Sequence, residues 1–507
     1  MTDESAKPKP DAEAGDETKK PDDLPPPPHH EEGVIETSHT ITIGRKKIAY
    51  TATASRTILR EEEGKKQASF FSVAYTRDSV TDPSTRPIVF CFNGGPGSSS
   101  VWLHLGAFGP RRVLLDDNGM PGALPGKLVD NEHTLIDVAD IVFIDPVGTG
   151  YSRAIPDEEL KQYTHFKHDI ETVGEFIRIY LTRHERWSSP KFLAGESYGT
   201  TRSAGLAAHL YKRHGIAFNG LLLISSILNF QTAGFDSKTW TFERGNDLPY
   251  MLFLPTYAAA AWYHGQLAKS HQKRPLREFL DEVEAFAANE YALALFQGDA
   301  LDRGRFDEIA ERLADYTGLS VEYVKRYDLR IEILRFCKEL LREERRTIGR
   351  IDARYTGIDR FVDGDTVEGD PSMDATMGPY TASLNDYLRR ELGYESELPY
   401  EILSEKVYEA WDYDDFKNAH VDVSEALRET LSRNPATRVL VASGYYDLAT
   451  PHFATEYTFS HLGLDPSLRG NIELTYYEAG HMMYVHAPSR AKLAADIKAF
   501  IARATSS

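Results

Sequence analysis

The sequence predicts an α/β fold, with a central, mostly parallel sheet and a helical cap inserted between two of its strands. Three observations predict it. Short apolar runs that read as buried strands recur at 87–92, 191–194 and 438–442. Each is followed by a glycine-bearing turn rather than by a hairpin partner. Between about 230 and 415 the strand pattern gives way to helical periodicity.

In chain order, residues 1–33 are dominated by Lys, Asp, Glu and Pro and end in Pro25-Pro26-Pro27-Pro28-His29-His30. Such a stretch buries too little apolar surface to offset its ordering entropy, so a disordered tail is expected. It lacks the apolar centre of a signal peptide, which leaves a cytoplasmic protein as the expectation, or an exported one whose signal has been removed. Alternation from Ser38 to Thr76 predicts antiparallel strands about a charged turn, Arg60 to Lys66. Core βα units then run to about Leu228, giving 34–229 as the first part of the core. Helices are predicted over Tyr257–Ala268, Leu276–Phe296, Phe306–Tyr316 and Val321–Arg346, within a cap spanning 230–415. The end of that cap, from Asp370 to Tyr380, reads as a loop able to line a pocket. Residues 416–507 complete the core with strands at Arg438–Ala442 and Ile472–Tyr477. A final helix follows, in which Leu493, Ile497, Phe500 and Ile501 share one face.

The chemistry is concentrated in a few turns. Gly195-Glu196-Ser197-Tyr198-Gly199 lies between a strand and a small-residue helix, Thr200 to Arg213. A G-x-S-x-G turn in that context projects its serine beyond the sheet, which makes Ser197 a candidate nucleophile. A serine hydroxyl needs a base, and the base an orienting carboxylate, in the chain order Ser, Asp, His for this kind of site. Asp447 follows the strand Arg438–Ala442, and His481 follows Ile472–Tyr477 directly after Gly480. His486 is the competing histidine among 17 in the chain. Asn93-Gly94-Gly95-Pro96-Gly97 follows the apolar strand Pro87–Phe92, so the N–H groups of Gly95 and Tyr198 are candidate oxyanion donors.

Five segments together resemble the serine carboxypeptidase family. They are Asn93-Gly-Gly-Pro-Gly-Ser-Ser-Ser100, Asp145-Pro-Val-Gly-Thr-Gly-Tyr-Ser152, Gly195-Glu-Ser-Tyr-Gly199, Gly444-Tyr-Tyr-Asp447 and Gly480-His-Met482, in that family's order. The resemblance implies an α/β-hydrolase fold with a helical insertion, and removal of C-terminal residues from peptides. It also implies that Asn93, Gly94 and Glu196 bind the peptide's terminal carboxylate. The chain looks like a bacterial-type member without the family's disulfide framework, because it has only two cysteines, Cys91 and Cys337. Both cysteines read as inert buried thiols.

Departures from the family pattern fall on specificity rather than catalysis. A second glutamate is usual two residues before Gly109-Pro110, and Ala107 stands there. Arg111 and Arg112 are either substitute carboxylate clamps or surface residues. The family's tryptophan before N-G-G is Cys91, and its Gly-His-Met-Val-Pro is Gly480-His-Met-Met-Tyr484.

A net charge of −19 argues against nucleic-acid binding through a basic face, and no apolar stretch approaches a membrane span. No metal or cofactor is called for. The leading expectation is a serine-type carboxypeptidase acting on peptides with a free C-terminus. An esterase or acyltransferase with the same three residues, or a non-catalytic binding module, stands as the alternative.

Overall fold

The computed structural model describes residues 31–122, 124–155, 160–236 and 241–506. The tail expected over 1–33 therefore lies outside the described residues up to position 30, and Gly33 opens the first strand. Three long strands, β1 (Gly33–Ile43), β2 (Lys46–Arg60) and β3 (Lys66–Arg77), form an antiparallel meander. The charged turn separates β2 from β3 as expected. A second, tighter turn at Gly44-Arg45, where Gly44 has φ +60, separates β1 from β2 within the stretch expected as antiparallel strands.

The sheet continues with β4 (Ile88–Phe92), β5 (Asp140–Ile144), β6 (Lys191–Glu196), β7 (Gly220–Ile224), β8 (Arg438–Gly444) and β9 (Ile472–Tyr477). Its order is β1-β2-β3-β5-β4-β6-β7-β8-β9, antiparallel as far as the β3–β5 pair and parallel beyond it. Every residue of β4, β5, β6 and β7 is buried, which requires cover on both faces and accounts for the apolar residues that fill their centres. One face packs on α1 (Phe166–Arg183) and α2 (Tyr198–His214) through Phe176, Ile177, Leu206 and Leu210.

The insertion has two characters. Helices α3 (Leu248–Tyr263), α4 (Leu276–Phe286) and α5 (Arg303–Thr317) build their own core from Phe253, Tyr257, Phe279, Leu280, Ile309 and Leu313. The expected long helix over Val321–Arg346 is instead two short helices, Val321–Arg326 and Ile333–Glu339, and Arg346 begins a small hairpin. Asp328 and Leu329 between them take positive φ, which ends the first helix. Buried phenols replace the lost helical bonds, with Tyr291 donating to the Leu329 carbonyl and Tyr257 to that of Ile331.

The stretch from Asp370 to Tyr380 is a helix, not a loop. α6 (Pro371–Asp386) starts with proline in its first turn, where no N–H is missed, and Asp370 caps it by accepting from the Ser372 N–H at 2.9 Å. Residues 380–402 of this part pack on the second face of the sheet through Tyr380, Leu384 and Tyr387. The closing helix α7 (Ala487–Thr505) joins them with Leu493, Ile497, Phe500 and Ile501. Among the described residues no helix is long and apolar enough to cross a membrane.

At the N-terminal edge of the parallel strands, Asp140 accepts from Arg86 Nε at 2.7 Å and Arg186 Nη1 at 2.6 Å. All three side chains are under a tenth exposed. Removing the carboxylate strands two buried guanidinium groups. Asp140→Ala should therefore lower stability by about 3–5 kcal/mol, read as an earlier chemical-denaturation midpoint. An unchanged midpoint would show that water reaches the two arginines.

Candidate active site

Ser197 stands at the junction of β6 and α2 with φ 60 and ψ −129, a conformation costing a non-glycine residue on the order of 1–3 kcal/mol. Backbone bonds hold it there. Its N–H donates to the Ile224 carbonyl at 3.0 Å, and its carbonyl accepts from the Thr200 N–H at 2.8 Å. The flanking glycines are required by space. A Cβ at Gly195 would lie 2.0 Å from the Gly199 carbonyl oxygen, and one at Gly199 would lie 2.9 Å from that of Phe92.

The glycine-rich loop after β4 comes against this turn. A Cβ at Gly94 would fall 2.4 Å from the Tyr198 nitrogen. Among the described residues no hydrogen bond runs from the N–H of Gly95 or of Tyr198, the latter opening α2 where N–H groups have no helical partner. The Asp145 motif buttresses the loop. Asp145 Oδ1 accepts from the Ser100 N–H and hydroxyl at 2.9 and 2.8 Å, and Ser152 Oγ donates to the Asp145 carbonyl at 2.6 Å.

Asp447 is fully buried just beyond β8. Its Oδ1 accepts from the N–H groups of Ala449 and Thr450, at 2.8 and 2.9 Å. Oδ2 accepts from the Thr450 hydroxyl at 2.8 Å and faces His481 Nδ1 at 2.8 Å. A carboxylate only accepts, so Nδ1 carries the proton and Nε2 is the basic nitrogen. Burial works against charge on His481, but Asp447 and Glu196 outweigh it and raise its pKa. Among the described residues no hydrogen bond runs between Ser197 Oγ and His481; such contacts are often loose in the unliganded state. His486 lies elsewhere, with Nδ1 at 2.8 Å from Ser489 Oγ at the start of α7.

Beneath the turn, Asn93 Nδ2 donates to Glu196 Oε1 at 2.8 Å, and both residues are buried. Asn93 is further fixed by the Leu103 N–H on its Oδ1 at 3.1 Å and by Arg202 on its carbonyl at 2.7 Å. Arg202 is in turn paired with Asp169 at 2.8 Å. Burial lifts Glu196 from 4.5 to about 7, against the opposing pull of His481. Sequence reasoning missed the neighbours of this carboxyl. The Tyr484 phenol lies against Glu196 and Asn93, yet neither its hydroxyl nor Glu196 Oε2 reaches hydrogen-bonding geometry with a described group. Tyr380 of α6 lies alongside, and a side chain at Gly106 would strike both phenols. The aromatic residue standing in Gly480-His-Met-Met-Tyr484 was the only signal of this enclosure.

Ala107 is buried in a π-helical turn, Leu103–Phe108, and supplies no polar side chain. Arg111 is bound to Asp130 at 2.6 Å and Glu391 at 2.8 Å, while Arg112 faces Glu132 at 3.5 Å. Cys91 and Cys337 are buried free thiols whose pKa values burial pushes up. Among the described residues one group, Glu284, His452 and Glu456, brings three potential metal-ligand atoms within 4.8 Å. Its carboxylates are already engaged, Glu284 with Arg277 at 2.5 Å and Glu456 with the Tyr476 hydroxyl at 2.8 Å.

Residues 58–248 match the serine carboxypeptidase family, which bears out the resemblance. The chain is 32% identical over 144 residues to serine carboxypeptidase-like 33 of Arabidopsis thaliana, covering 26% of each chain. It is 33% identical over 151 residues to the pheromone-processing carboxypeptidase KEX1 of Saccharomyces cerevisiae, covering 28% of this chain and 20% of that one. The aligned stretches thus span about a quarter or less of those relatives. The crystal structure of a prohormone-processing carboxypeptidase from Saccharomyces cerevisiae aligns with a TM-score of 0.55 at 15% identity, covering 89% of this chain and 91% of that one. The fold is that of the α/β-hydrolases.

A carboxyl raised from 4.5 to about 7 makes a testable contribution to stability. Below about pH 4.5 it is protonated folded or unfolded; above about 7 the folded chain must hold a buried charge, so stability is lost between those values. Glu196→Gln carries no such charge. Its stability relative to wild type should improve between pH 4.5 and 8, by up to about 3 kcal/mol at about 1.4 kcal/mol per unit. A mutant–wild-type difference independent of pH in denaturant titrations would contradict the shift.

Proposed function

We propose that this relative of the serine carboxypeptidases hydrolyses C-terminal peptide bonds through an acyl-enzyme. Ser197 Oγ attacks the scissile carbonyl, and His481 Nε2 takes its proton while Asp447 holds the imidazole by Nδ1 and stabilises the imidazolium. The N–H groups of Gly95 and Tyr198 receive the oxyanion. His481 then returns the proton to the leaving amine, and water repeats the sequence to release the shortened peptide.

The observation that carries the exopeptidase reading is the Asn93–Glu196 pair at 2.8 Å directly before Ser197. With its pKa lifted to about 7, Glu196 is a carboxylic acid below neutrality and an O–H donor, the group that a substrate's terminal carboxylate requires. Asn93 and the Gly94 N–H complete that subsite. Ala107, which adds no second carboxyl, favours a second reading: an esterase or acyltransferase that uses Ser197, Asp447 and His481 without reading a carboxylate.

Ser197→Ala should leave the fold intact and lower turnover by ~10³-fold or more. His481→Ala should resemble it, and His486→Ala should stay near wild type; the reverse order for the histidines would show that the base was wrongly assigned. For a blocked dipeptide with a free C-terminus, KM should rise above pH about 7, by up to about tenfold per unit as Glu196 ionises. The rise should vanish in Glu196→Gln and for the amidated peptide. Profiles that coincide for both peptides and both proteins would hand the lead to the esterase or acyltransferase reading.

A further inference from the structure

The two loops bearing Asp447 and His481 are both tied to one short stretch of the insertion, Arg350 to Ala353. The Leu448 N–H donates to the Arg350 carbonyl at 3.0 Å, and the Ala353 N–H donates to the Tyr446 carbonyl at 2.9 Å. The His481 N–H donates to the Ile351 carbonyl at 2.8 Å, and the Gly480 N–H to Asp352 Oδ2 at 3.0 Å. These four bonds leave little freedom for the backbone on either side of the His481–Asp447 contact.

Asp352 is the centre of this strap. Arg354 grips its carboxylate through Nε and Nη2 at 2.9 and 2.6 Å, and both side chains are under a twentieth exposed. A Cβ at Gly480 would lie 2.4 Å from the Asp352 Cβ, so the glycine before His481 is what lets the strap come this close. From the other side Asp370 Oδ2 accepts from the N–H groups of Arg350 and Ile351, at 3.1 and 2.9 Å, while its Oδ1 caps α6. The line of contact runs from the N-terminus of α6, through the strap, to the histidine.

We propose that Asp352 is a positioning residue that sets His481 against Asp447, and that the insertion controls the reacting geometry through the Arg350–Ala353 strap. The proposal rests on His481 being the base for Ser197. Displacements of about 1 Å in a reacting group cost about a hundredfold in rate. The charged groups facing His481 are Asp447 beyond β8, Glu196 at the end of β6 and Arg350 on the strap itself. If His481 drifts from Asp447, its imidazolium loses a partner while staying buried, so its titration moves to lower pH.

The rate at which a fluorophosphonate labels Ser197 reads this directly, because it needs the base but no peptide. Measured from about pH 5 to pH 9, Asp352→Asn should lower the plateau about tenfold or more and move the midpoint to lower pH, with dipeptide KM nearly unchanged. Asp370→Asn keeps an oxygen for the α6 cap but loses the acceptor for the strap, so it should act in the same direction. Asp140→Ala, at the opposite edge of the sheet, should change neither rate nor midpoint despite its lower stability. Wild-type rate and midpoint in folded Asp352→Asn and Asp370→Asn overturn the proposal, and Asp370→Asn decides alone if Asp352→Asn does not fold. Absence of labelling in the wild type removes the premise and the proposal with it. Labelling without dipeptide hydrolysis removes only the exopeptidase reading, and the strap comparison still decides.

Discussion

The chain must reverse direction within one residue at Ser197, and much of the surrounding structure follows from holding that turn. The left-handed backbone at a serine persists because its N–H and carbonyl are both bonded, to Ile224 and Thr200. Glycine at 195 and 199 gives the strand and helix room to close, and glycine at 94 brings the preceding loop to the same place. The fixed N–H groups and the projecting hydroxyl are two consequences of one backbone constraint. Substituting any of the three glycines forces backbone atoms apart rather than a flexible side chain.

Around the turn the protein concentrates ionisable groups in a dry interior and satisfies them unequally. Asp447 has four hydrogen-bonded contacts, and Arg202 is locked to Asp169. Glu196 has one firm partner, Asn93, and beside it the Tyr484 phenol, which falls short of a well-formed hydrogen bond to Oε2. A fully solvated carboxylate stays ionised, and a fully hydrogen-bonded one does too. The half-satisfied, buried one becomes an acid near neutrality, the state in which it is able to donate.

The parts of this arrangement that were legible in the sequence are local. The elbow is five consecutive residues, the strands before Asn93 and Asp447 announce themselves by apolar runs followed by turns, and the strand Ile472–Tyr477 is followed by the Gly480-His481 turn. The core helix after Ser197 and the closing helix were legible for the same reason. What failed was decided by distant partners. The break at Asp328 and Leu329 depends on phenols from Tyr257 and Tyr291, which no local pattern reveals. α6 read as a loop because Pro371, Gly378 and Pro379 lower its intrinsic helicity, although Asp370 caps it and the sheet face buries it. Asp352 meets Gly480 across 128 positions, and Tyr484 acquires its meaning only where the Gly106 turn and α6 close on Glu196.

The proposed chemistry stands on Ser197 as the nucleophile, with its reactivity drawn from His481 and Asp447. Peptide mapping by mass spectrometry after fluorophosphonate treatment tests it most directly. One adduct is expected, on the peptide carrying Ser197, formed by the native protein, abolished by prior unfolding and strongly slowed in His481→Ala. An adduct on another serine, or labelling of Ser197 that is indifferent to His481, would contradict it.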